Sequence, residues 1–267
     1  MDKLKLIKEL REQTSASILE IKKALEKTDY DLEKSKLILN ELGIKKAEKK
    51  SSNETHEGII NIVENDKKLV IYQINAQTDF VTRNEQFQDL VSKVGQVLLA
   101  SNFDSVDQAL NLKVDNITIK EFISSKIAII GENIVLKQAR IFEKTNTTIA
   151  YYIHTNKKIG AVVELEGGSF EIGKNIAMHV ASMNPQFLNK HSISKEQMEK
   201  IENEINESPN LEGKPEEIKN RIISGLLNKK LAEVVLEMQE FVMEKMLVSE
   251  YAKTNNTKII NFYRLQV

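Results

Sequence analysis

The chain has 267 residues, of which 41% are apolar and 29% are charged, and this composition excludes a disordered or collagen-like protein. Its 38 lysines and arginines nearly balance its 39 aspartates and glutamates, which argues against a general nucleic-acid-binding protein, because such proteins usually carry a basic excess. The sequence contains no cysteine, and this absence excludes disulfides, thiol catalysis and cysteine-ligated zinc.

Three short helices are predicted within the first 43 residues. Ser17, with Glu20 three residues later, forms a capping box at the start of the second helix. Asp29 or Asp31 can cap the third helix, and we expect Gly43 to end it. A bundle of this size buries little apolar surface, so we interpret it as an appended binding module.

The stretch from residue 45 to residue 54 is rich in lysine and loses the apolar periodicity of a packed helix. It is interpreted as a linker or as a fraying helix end. We therefore assign residues 1–50 to the three-helix module and its linker.

A strand followed by a helix frames the most informative stretch of the chain. Residues 69–74 are β-branched and aromatic and predict a strand, while apolar residues from Phe87 to Leu98 recur at helical spacing. Asp79 and Phe80 therefore lie in the connection. A phenylalanine at such a junction usually packs in the core, and an aspartate beside it usually forms a turn or a cap. A protruding acid and ring could instead enter the site of a partner.

Residues 65–72 and 155–162 form a weak internal repeat. Each places a polar, lysine-rich turn between two strand-like runs, which predicts a β-hairpin followed by a helix. We therefore predict an α+β fold whose core contains two related units of antiparallel sheet plus helix. The first unit is assigned to residues 51–140, and the second to residues 141–192 and 227–267.

A further helix is predicted between the two hairpins. Thr118 and Glu121 form a second capping box, from which a helix runs toward Ile130 and Gly131. Because Gly131 lies next to a β-branched residue, it indicates a bend in the chain or a close approach of two backbone segments.

Residues 193–226 predict two amphipathic helices joined as an antiparallel hairpin. Ser194 and Gln197 form a third capping box. The Pro- and Gly-rich segment 208–215 then interrupts the helix, and a second helix begins near Pro215. The apolar stripe of such a hairpin needs a partner or must pack on itself, and self-packing is favoured.

Motifs for covalent or metal chemistry are weak. No metal-ligand spacing relates the four histidines, which are His56, His154, His179 and His191. Residues 168–175 have the glycine and lysine spacing of a phosphate-binding loop, but Asn175 replaces the Ser or Thr that holds magnesium, and Glu171 adds negative charge beside the phosphates. A binding protein that is not an enzyme and uses no metal or cofactor is therefore favoured.

Several ordered segments, from about residue 4 to the end, resemble the elongation factor Ts family. They are 10–14 through 22–25, Thr78-Asp79-Phe80-Val81 with Asn84 and Phe87, 130–134, Met178-His179-Val180-Ala181 with Pro185 and Phe187, Lys214-Pro215, and 239–242. The chain departs from the family at Ser15 and Ser17, where a Thr-Gly-Ala-Gly run is common. Ile18 and Leu19 replace paired methionines.

The resemblance implies a guanine-nucleotide exchange factor that binds elongation factor Tu, disturbs its magnesium and phosphate site to promote GDP release, and lets GTP reload during translation elongation. It also implies that the amino-terminal module is similar to a ubiquitin-associated domain and docks on the partner's GTPase domain, and that the helical hairpin resembles the family's projecting coiled coil. A homodimer of the complex is an open alternative.

The resemblance further implies which residues contact the partner. Phe80 would wedge near the magnesium and phosphate site, with Asp79 beside it. Ile130, Gly131 and His179 would support the same contact surface. The full set of implied partner-binding residues is Ile18, Leu19, Lys22, Thr78, Asp79, Phe80, Val81, Ile130, Gly131 and His179.

Neither a signal-peptide core nor an apolar run of membrane-spanning length is present. We therefore expect a cytoplasmic protein that contacts no membrane, and we expect no direct contact with nucleic acid. Two other functions stay open on the residues alone. A ubiquitin-type adaptor would use only the first 43 residues, and a nucleotide-binding enzyme would use the loop from Gly168 to Lys174.

Overall fold

The computed structural model describes residues 3–14, 16–208, 211 and 214–267. The chain forms two compact units, one made of Met1–Glu143 with Val267 and the other of Lys144–Gln266. Helices and small antiparallel sheets occur in both units, and the predicted α+β class is confirmed.

The elements of the first unit follow the predicted order, with three helices before a sheet. They are α1 (Lys3–Thr14), α2 (Ile18–Lys27), α3 (Leu32–Lys50), β1 (Glu57–Glu64), β2 (Lys68–Ala76), α4 (Asp79–Thr82), α5 (Glu85–Ala100), α6 (Val106–Leu110), β3 (Lys113–Val114), β4 (Ile117–Thr118), α7 (Ile119–Ile130) and β5 (Ile134–Glu143).

The three amino-terminal helices pack around their own small core. Its buried members are Leu6, Leu10, Ile21, Ala24, Leu25 and Leu39. The predicted capping box of α2 is confirmed, because the Ser17 hydroxyl accepts from the Glu20 N–H and the Glu20 carboxylate accepts from the Ser17 N–H. Asp31 caps α3 by accepting from the Lys34 N–H at 3.0 Å. Ser15, a position at which the chain departs from the family pattern, lies outside the described residues.

The predicted end of α3 at Gly43 is wrong, because the helix continues to Lys50. A glycine inside a helix is unfavourable by about 1 kcal/mol relative to alanine. Packing offsets this, since α3 lies along α7, and Ala47, one turn beyond Gly43, is buried in the core of the first sheet. The lysine-rich stretch interpreted as a linker or a fraying helix end is therefore helical as far as Lys50, and its helix is packed.

The sheet of the first unit has the order β1-β2-β5, and both strand pairs are antiparallel. The predicted hairpin around residues 65–68 joins β1 to β2. Strand β2 is buried along its whole length, and one of its faces, with Val70, Tyr72, Ile74 and Ala76, shares a core with side chains of α5 and α7. The sheet therefore has a fixed register, and the position at which β2 ends is fixed with it.

The predicted capping box of α7 is confirmed, with Thr118 and Glu121 bonded reciprocally. The helix ends at Gly131, which has a left-handed φ of 84°. A Cβ atom built on Gly131 would meet no atom within 4 Å, so the glycine forms a bend, and no close backbone approach explains it.

The second unit repeats the arrangement of a hairpin followed by a helix. Its elements are β6 (Thr148–Ile153), β7 (Ile159–Gly167), α8 (Phe170–Met183), a 3-10 helix (Lys190–Ser192), α9 (Lys195–Asn206), α10 (Glu216–Val234), a 3-10 helix (Leu236–Met238), α11 (Val248–Thr254) and β8 (Thr257–Gln266). The antiparallel sheet has the order β6-β7-β8, and α8 packs on it. The predicted second hairpin and its following helix are confirmed.

Helices α9 and α10 pack against each other as the predicted hairpin. The capping box of Ser194 and Gln197 starts α9, and Pro215 directly precedes α10. Residues 209, 210, 212 and 213, within the predicted Pro- and Gly-rich break, lie outside the described residues. Near its base the hairpin buries Ile193, Leu231 and Val235.

Candidate functional site

Phe80 extends from the surface of the first unit. It is the second residue of α4, a single helical turn between β2 and α5, and 79% of its surface is exposed to solvent. The usual interpretation of a phenylalanine at such a junction, that it packs in the core, is therefore wrong here. Leaving a phenylalanine exposed forgoes about 1.5–3 kcal/mol of burial free energy, which a partner can recover by covering the ring.

The neighbours of Phe80 in α4 hold the turn in place. Val81 is only 5% exposed and belongs to the core of the first unit. The carbonyl of Asp79 accepts a hydrogen bond from the Thr82 hydroxyl at 2.7 Å. The Asp79 carboxylate lies 3.5 Å from Arg83 Nη2, in an exposed pair of little energetic weight. The carboxylate is thus accessible next to the aromatic ring.

Thr78, at the amino-terminal end of α4, is bonded to Glu132. Its backbone N–H donates to Glu132 Oε2 at 3.1 Å, and its hydroxyl lies 2.9 Å from Oε1. The hydroxyl therefore does not cap α4, as a threonine in this position often does. Glu132 lies in the segment 130–134 that resembles the family, but it was not selected from the sequence as a contact residue, because no periodicity relates it to Thr78.

Asn133 extends the same network. Its backbone N–H donates to Gln77 Oε1 at 2.7 Å, and its side-chain amide donates to the carbonyl of Asn53 at 2.8 Å. The end of β2, the residues after α7 and the residues after α3 are therefore joined by side-chain hydrogen bonds at the base of α4. Asn53, Gln77 and Asn133 were not selected from the sequence as site residues, since each is an ordinary polar loop residue there.

Ile130 and Gly131 lie at the carboxyl-terminal end of α7, directly before Glu132 and Asn133; we call this end the Gly131 corner. Ile130 is half-buried against the core, and Gly131 is exposed, with its N–H bonded to the Ile127 carbonyl at 2.8 Å. Because Glu132 follows directly, the left-handed bend at Gly131 leads the chain into the bond with Thr78. The structure thus joins the corner that contains Ile130 and Gly131 to the segment that starts at Thr78.

The predicted contact residues of the helical module lie on α2. Leu19 is 63% exposed, and Ile18 and Lys22 are exposed as well. These three residues share the face of α2 that points away from the module core, where Ile21 and Leu25 are buried. They form a second exposed surface, on a different element from Phe80.

His179 lies in the second unit and is fully buried. Its Nδ1 atom lies 3.3 Å from the backbone N of Val242, and its Nε2 atom lies 2.9 Å from Gln239 Oε1. The Val242 N–H must donate to Nδ1, so Nε2 carries the proton and the imidazole is neutral. Burial lowers the pKa of His179, and the hydrogen bond with Gln239 opposes this change. His179 can therefore act on an exposed surface through the chain around Val242, from whose N–H it accepts a hydrogen bond.

The loop that resembles a phosphate-binding motif has a structural explanation. Of the two glycines of the motif, Gly168 has a left-handed φ of 72°, and a Cβ atom on it would lie 2.8 Å from the Thr257 hydroxyl. A Cβ atom on Gly173 would lie 2.5 Å from Ala150 Cβ. The Ser169 hydroxyl caps α8, and the flanking sheet is antiparallel. A nucleotide-binding sheet would be parallel, and the two glycines are explained instead by the close approach of β8 at Gly168 and of β6 at Gly173.

Among the residues that the structure describes, no group of three or more His, Cys, Asp or Glu side chains is placed to hold a metal ion. In the same residues, no helix combines the length and apolarity needed to cross a membrane.

Comparisons with known proteins cover almost the whole chain. Residues 77–267 match the sequence model of the family described as Elongation factor TS. Elongation factor Ts of Mycoplasmopsis pulmonis (strain UAB CTIP) is 41% identical over 265 residues, which are 98% of this chain and 90% of that protein. The proteins of the same name from Mycoplasmopsis synoviae (strain 53) and Acholeplasma laidlawii (strain PG-8A) are each 38% identical over 269 residues, covering 100% and 98% of this chain and 92% and 91% of theirs.

Proposed function

Because the chain belongs to the elongation factor Ts family, we propose that it is a guanine-nucleotide exchange factor that binds elongation factor Tu and promotes GDP release during translation elongation. The family match includes the Phe80 turn, the Gly131 corner and His179, and the relatives align with the helical module as well. In this role the chain forms and breaks no covalent bond, and GTP reloads after GDP has left.

An exchange factor works by differential binding. It must bind the nucleotide-free partner more tightly than the nucleotide-bound one, and because the coupling is reciprocal, nucleotide expels the factor with the same free energy. Weakening nucleotide binding ten-thousandfold requires about 5.5 kcal/mol. Covering one phenylalanine supplies about 1.5–3 kcal/mol. Phe80 must therefore act together with other contacts.

The observation that supports this function best is the exposure of Phe80 on a helical turn that the core of the first unit and Glu132 hold in place. We assign Phe80 to the wedge that disturbs the magnesium and phosphate site of the partner. Asp79 lies beside it and competes for, or orients, polar groups there. Thr78 and Val81 hold the turn, Thr78 through Glu132 and Val81 through the core.

The remaining contacts spread the binding free energy over a larger area. We assign Ile18, Leu19 and Lys22 to docking of the helical module, which we propose to be a ubiquitin-associated-like domain, on the GTPase domain of the partner. Ile130 and Gly131 support the surface around Phe80. His179 is buried and does not touch the partner itself. We assign it the role of holding the chain around Val242, from whose N–H it accepts a hydrogen bond.

The boundaries of these parts are also proposals. We propose a module and linker at residues 1–50, core units at residues 51–140 and at 141–192 with 227–267, and a projecting hairpin at 193–226. No nucleic-acid contact is part of the proposed function, and a homodimer of the complex stays an open alternative.

The direct test is the release of a fluorescent GDP analogue from elongation factor Tu. Catalytic amounts of the chain should accelerate release, because one molecule of the factor serves many molecules of the partner. If the cognate partner releases GDP at its intrinsic rate in the presence of the chain, the exchange function is contradicted. A ubiquitin-type adaptor would then be tested by binding of ubiquitin to the α2 face.

A further inference from the structure

We propose that Glu132 is a positioning residue for exchange, whose carboxylate fixes the direction in which α4 presents Asp79 and Phe80. The inference rests on the proposed function, since it concerns how the same site works. Glu132 lies 54 positions after Thr78 in the sequence, and two hydrogen bonds join the two residues in the structure.

The geometry requires an external support for α4. The helix has four residues and no side-chain cap, and a single helical turn is unfavourable in isolation because nucleation fixes several dihedral angles for one hydrogen bond. Glu132 supplies the support by accepting from both the N–H and the hydroxyl of Thr78. Bonds to an ionised carboxylate are shorter and stronger than bonds between neutral groups.

Two anchors of different kinds then define the direction of the Phe80 ring. Val81 inserts into the core on one side, and Thr78 is bonded to Glu132 on the other. Phe80 lies between these anchored residues and is itself exposed. Without Glu132, α4 keeps one anchor and can pivot about Val81, so the ring spends less time in the orientation that the partner accepts.

Removing the carboxylate should leave the fold intact. Glu132 is half-buried, so its loss creates no large cavity. The bond from the Asn133 N–H to Gln77 Oε1 at 2.7 Å still joins the end of β2 to the segment after α7. The effect of a substitution at Glu132 should therefore be confined to α4 and to exchange.

A double-mutant cycle separates positioning from a general structural role. We expect Glu132→Ala to lower the kcat/KM of exchange about tenfold, mainly in kcat, because the other docking surfaces are unchanged. In the Phe80→Ala background, Glu132→Ala should lower exchange by much less than about tenfold, since the part of its effect that passes through Phe80 is already lost and only the part through Asp79 remains. Glu132→Gln keeps an acceptor oxygen and should restore most of the activity.

The matched control is Glu171→Ala, which removes an exposed glutamate from the first turn of α8 and should exchange nucleotide at the wild-type rate. The inference is overturned if Glu132→Ala exchanges as fast as the wild type. It is also overturned if the effects of Glu132→Ala and Phe80→Ala multiply, because the two residues would then act independently.

Amide hydrogen exchange of the free chain tests the inference without the partner. The Arg83 and Asn84 amides bond to the carbonyls of Phe80 and Val81, and they should exchange faster in Glu132→Ala. Unchanged protection of both amides would contradict the positioning role. If the wild-type chain does not accelerate GDP release from elongation factor Tu, the proposed function fails. Amide hydrogen exchange of the free chain still decides whether Glu132 holds α4.

Discussion

Phe80 and Val81 are consecutive residues of one helical turn, yet Phe80 is 79% exposed and Val81 is 5% exposed. The turn therefore divides its two large apolar side chains between solvent and core. Val81 belongs to the buried cluster that also contains Phe87 and Leu90 of α5, so packing in the core holds the turn in place. An aromatic ring held outward on a fixed turn is available to a partner and does little for the stability of the free chain.

This division predicts that two neighbouring alanine substitutions differ strongly in their effect on stability. Val81→Ala should lower the free energy of unfolding by about 1.5–3 kcal/mol, because it removes buried methyl groups. Phe80→Ala should change it by less than about 0.5 kcal/mol, because the ring is in solvent. Urea denaturation of both variants checks the prediction. An equal loss for the two would mean that Phe80 packs against the protein in solution.

The buried His179 predicts a pH dependence of stability. Burial lowers its pKa below the ordinary value of 6.5, so between the two pKa values the unfolded chain binds a proton that the folded chain does not. The free energy of unfolding should therefore fall as pH drops below about 6.5, by at most about 1.4 kcal/mol per pH unit. His179→Asn should remove this part of the slope, whereas His191→Asn, at an exposed position, should retain it. Equal slopes for all three proteins would contradict the assignment.

Gly43 predicts a stabilising substitution. It lies inside α3, and a Cβ atom there would lie 3.5 Å from Ala128 Cβ, which is ordinary van der Waals contact. Gly43→Ala should raise the free energy of unfolding by about 0.5–1 kcal/mol, because alanine loses less backbone entropy in a helix. Gly95→Ala is the contrasting control, since its Cβ would collide with the Tyr72 hydroxyl, and it should destabilise. A destabilised Gly43→Ala protein would show that α3 is not packed as described.

An alanine at Gly131 should have the opposite effect on stability from an alanine at Gly43, because of the backbone conformation alone. Its φ of 84° is left-handed, and no atom lies within 4 Å of a Cβ atom built there. Gly131→Ala should destabilise by about 1–2 kcal/mol, and Gly131→Asn by less, because asparagine adopts this conformation more readily. Thermal unfolding of the two variants is the measurement. If alanine were tolerated as well as asparagine, the bend before Glu132 would not need its left-handed conformation.

The parts of the fold that depend on local chemistry could be predicted from the sequence. Each capping box joins a residue to another three positions on, as in Ser17 with Glu20, and such bonds form wherever the helix forms. Both hairpins were predictable for a similar reason, since a polar turn between strand-like runs is a local pattern. The end of α3 was predicted wrongly because distant packing on α7 overrides the glycine signal at Gly43.

The candidate site was predictable only in part. The residue types at Asp79 and Phe80 marked the segment, but no local pattern tells whether a phenylalanine at a junction points into the core or into solvent. The bond between Thr78 and Glu132 joins residues 54 positions apart, and nothing in either neighbourhood selects the other as a partner. Such contacts arise from the register of β2 against β5, which only the folded structure fixes.

The central claim, that Phe80 drives nucleotide release, is tested most directly by the rate at which Phe80→Ala releases a fluorescent GDP analogue from elongation factor Tu. The control is Phe170→Ala, the same change at the start of α8 in the second unit. We expect Phe80→Ala to lower the kcat/KM of exchange about ten- to hundredfold, the equivalent of losing one buried aromatic ring, and Phe170→Ala to leave it within about twofold. Wild-type exchange by Phe80→Ala would contradict the account.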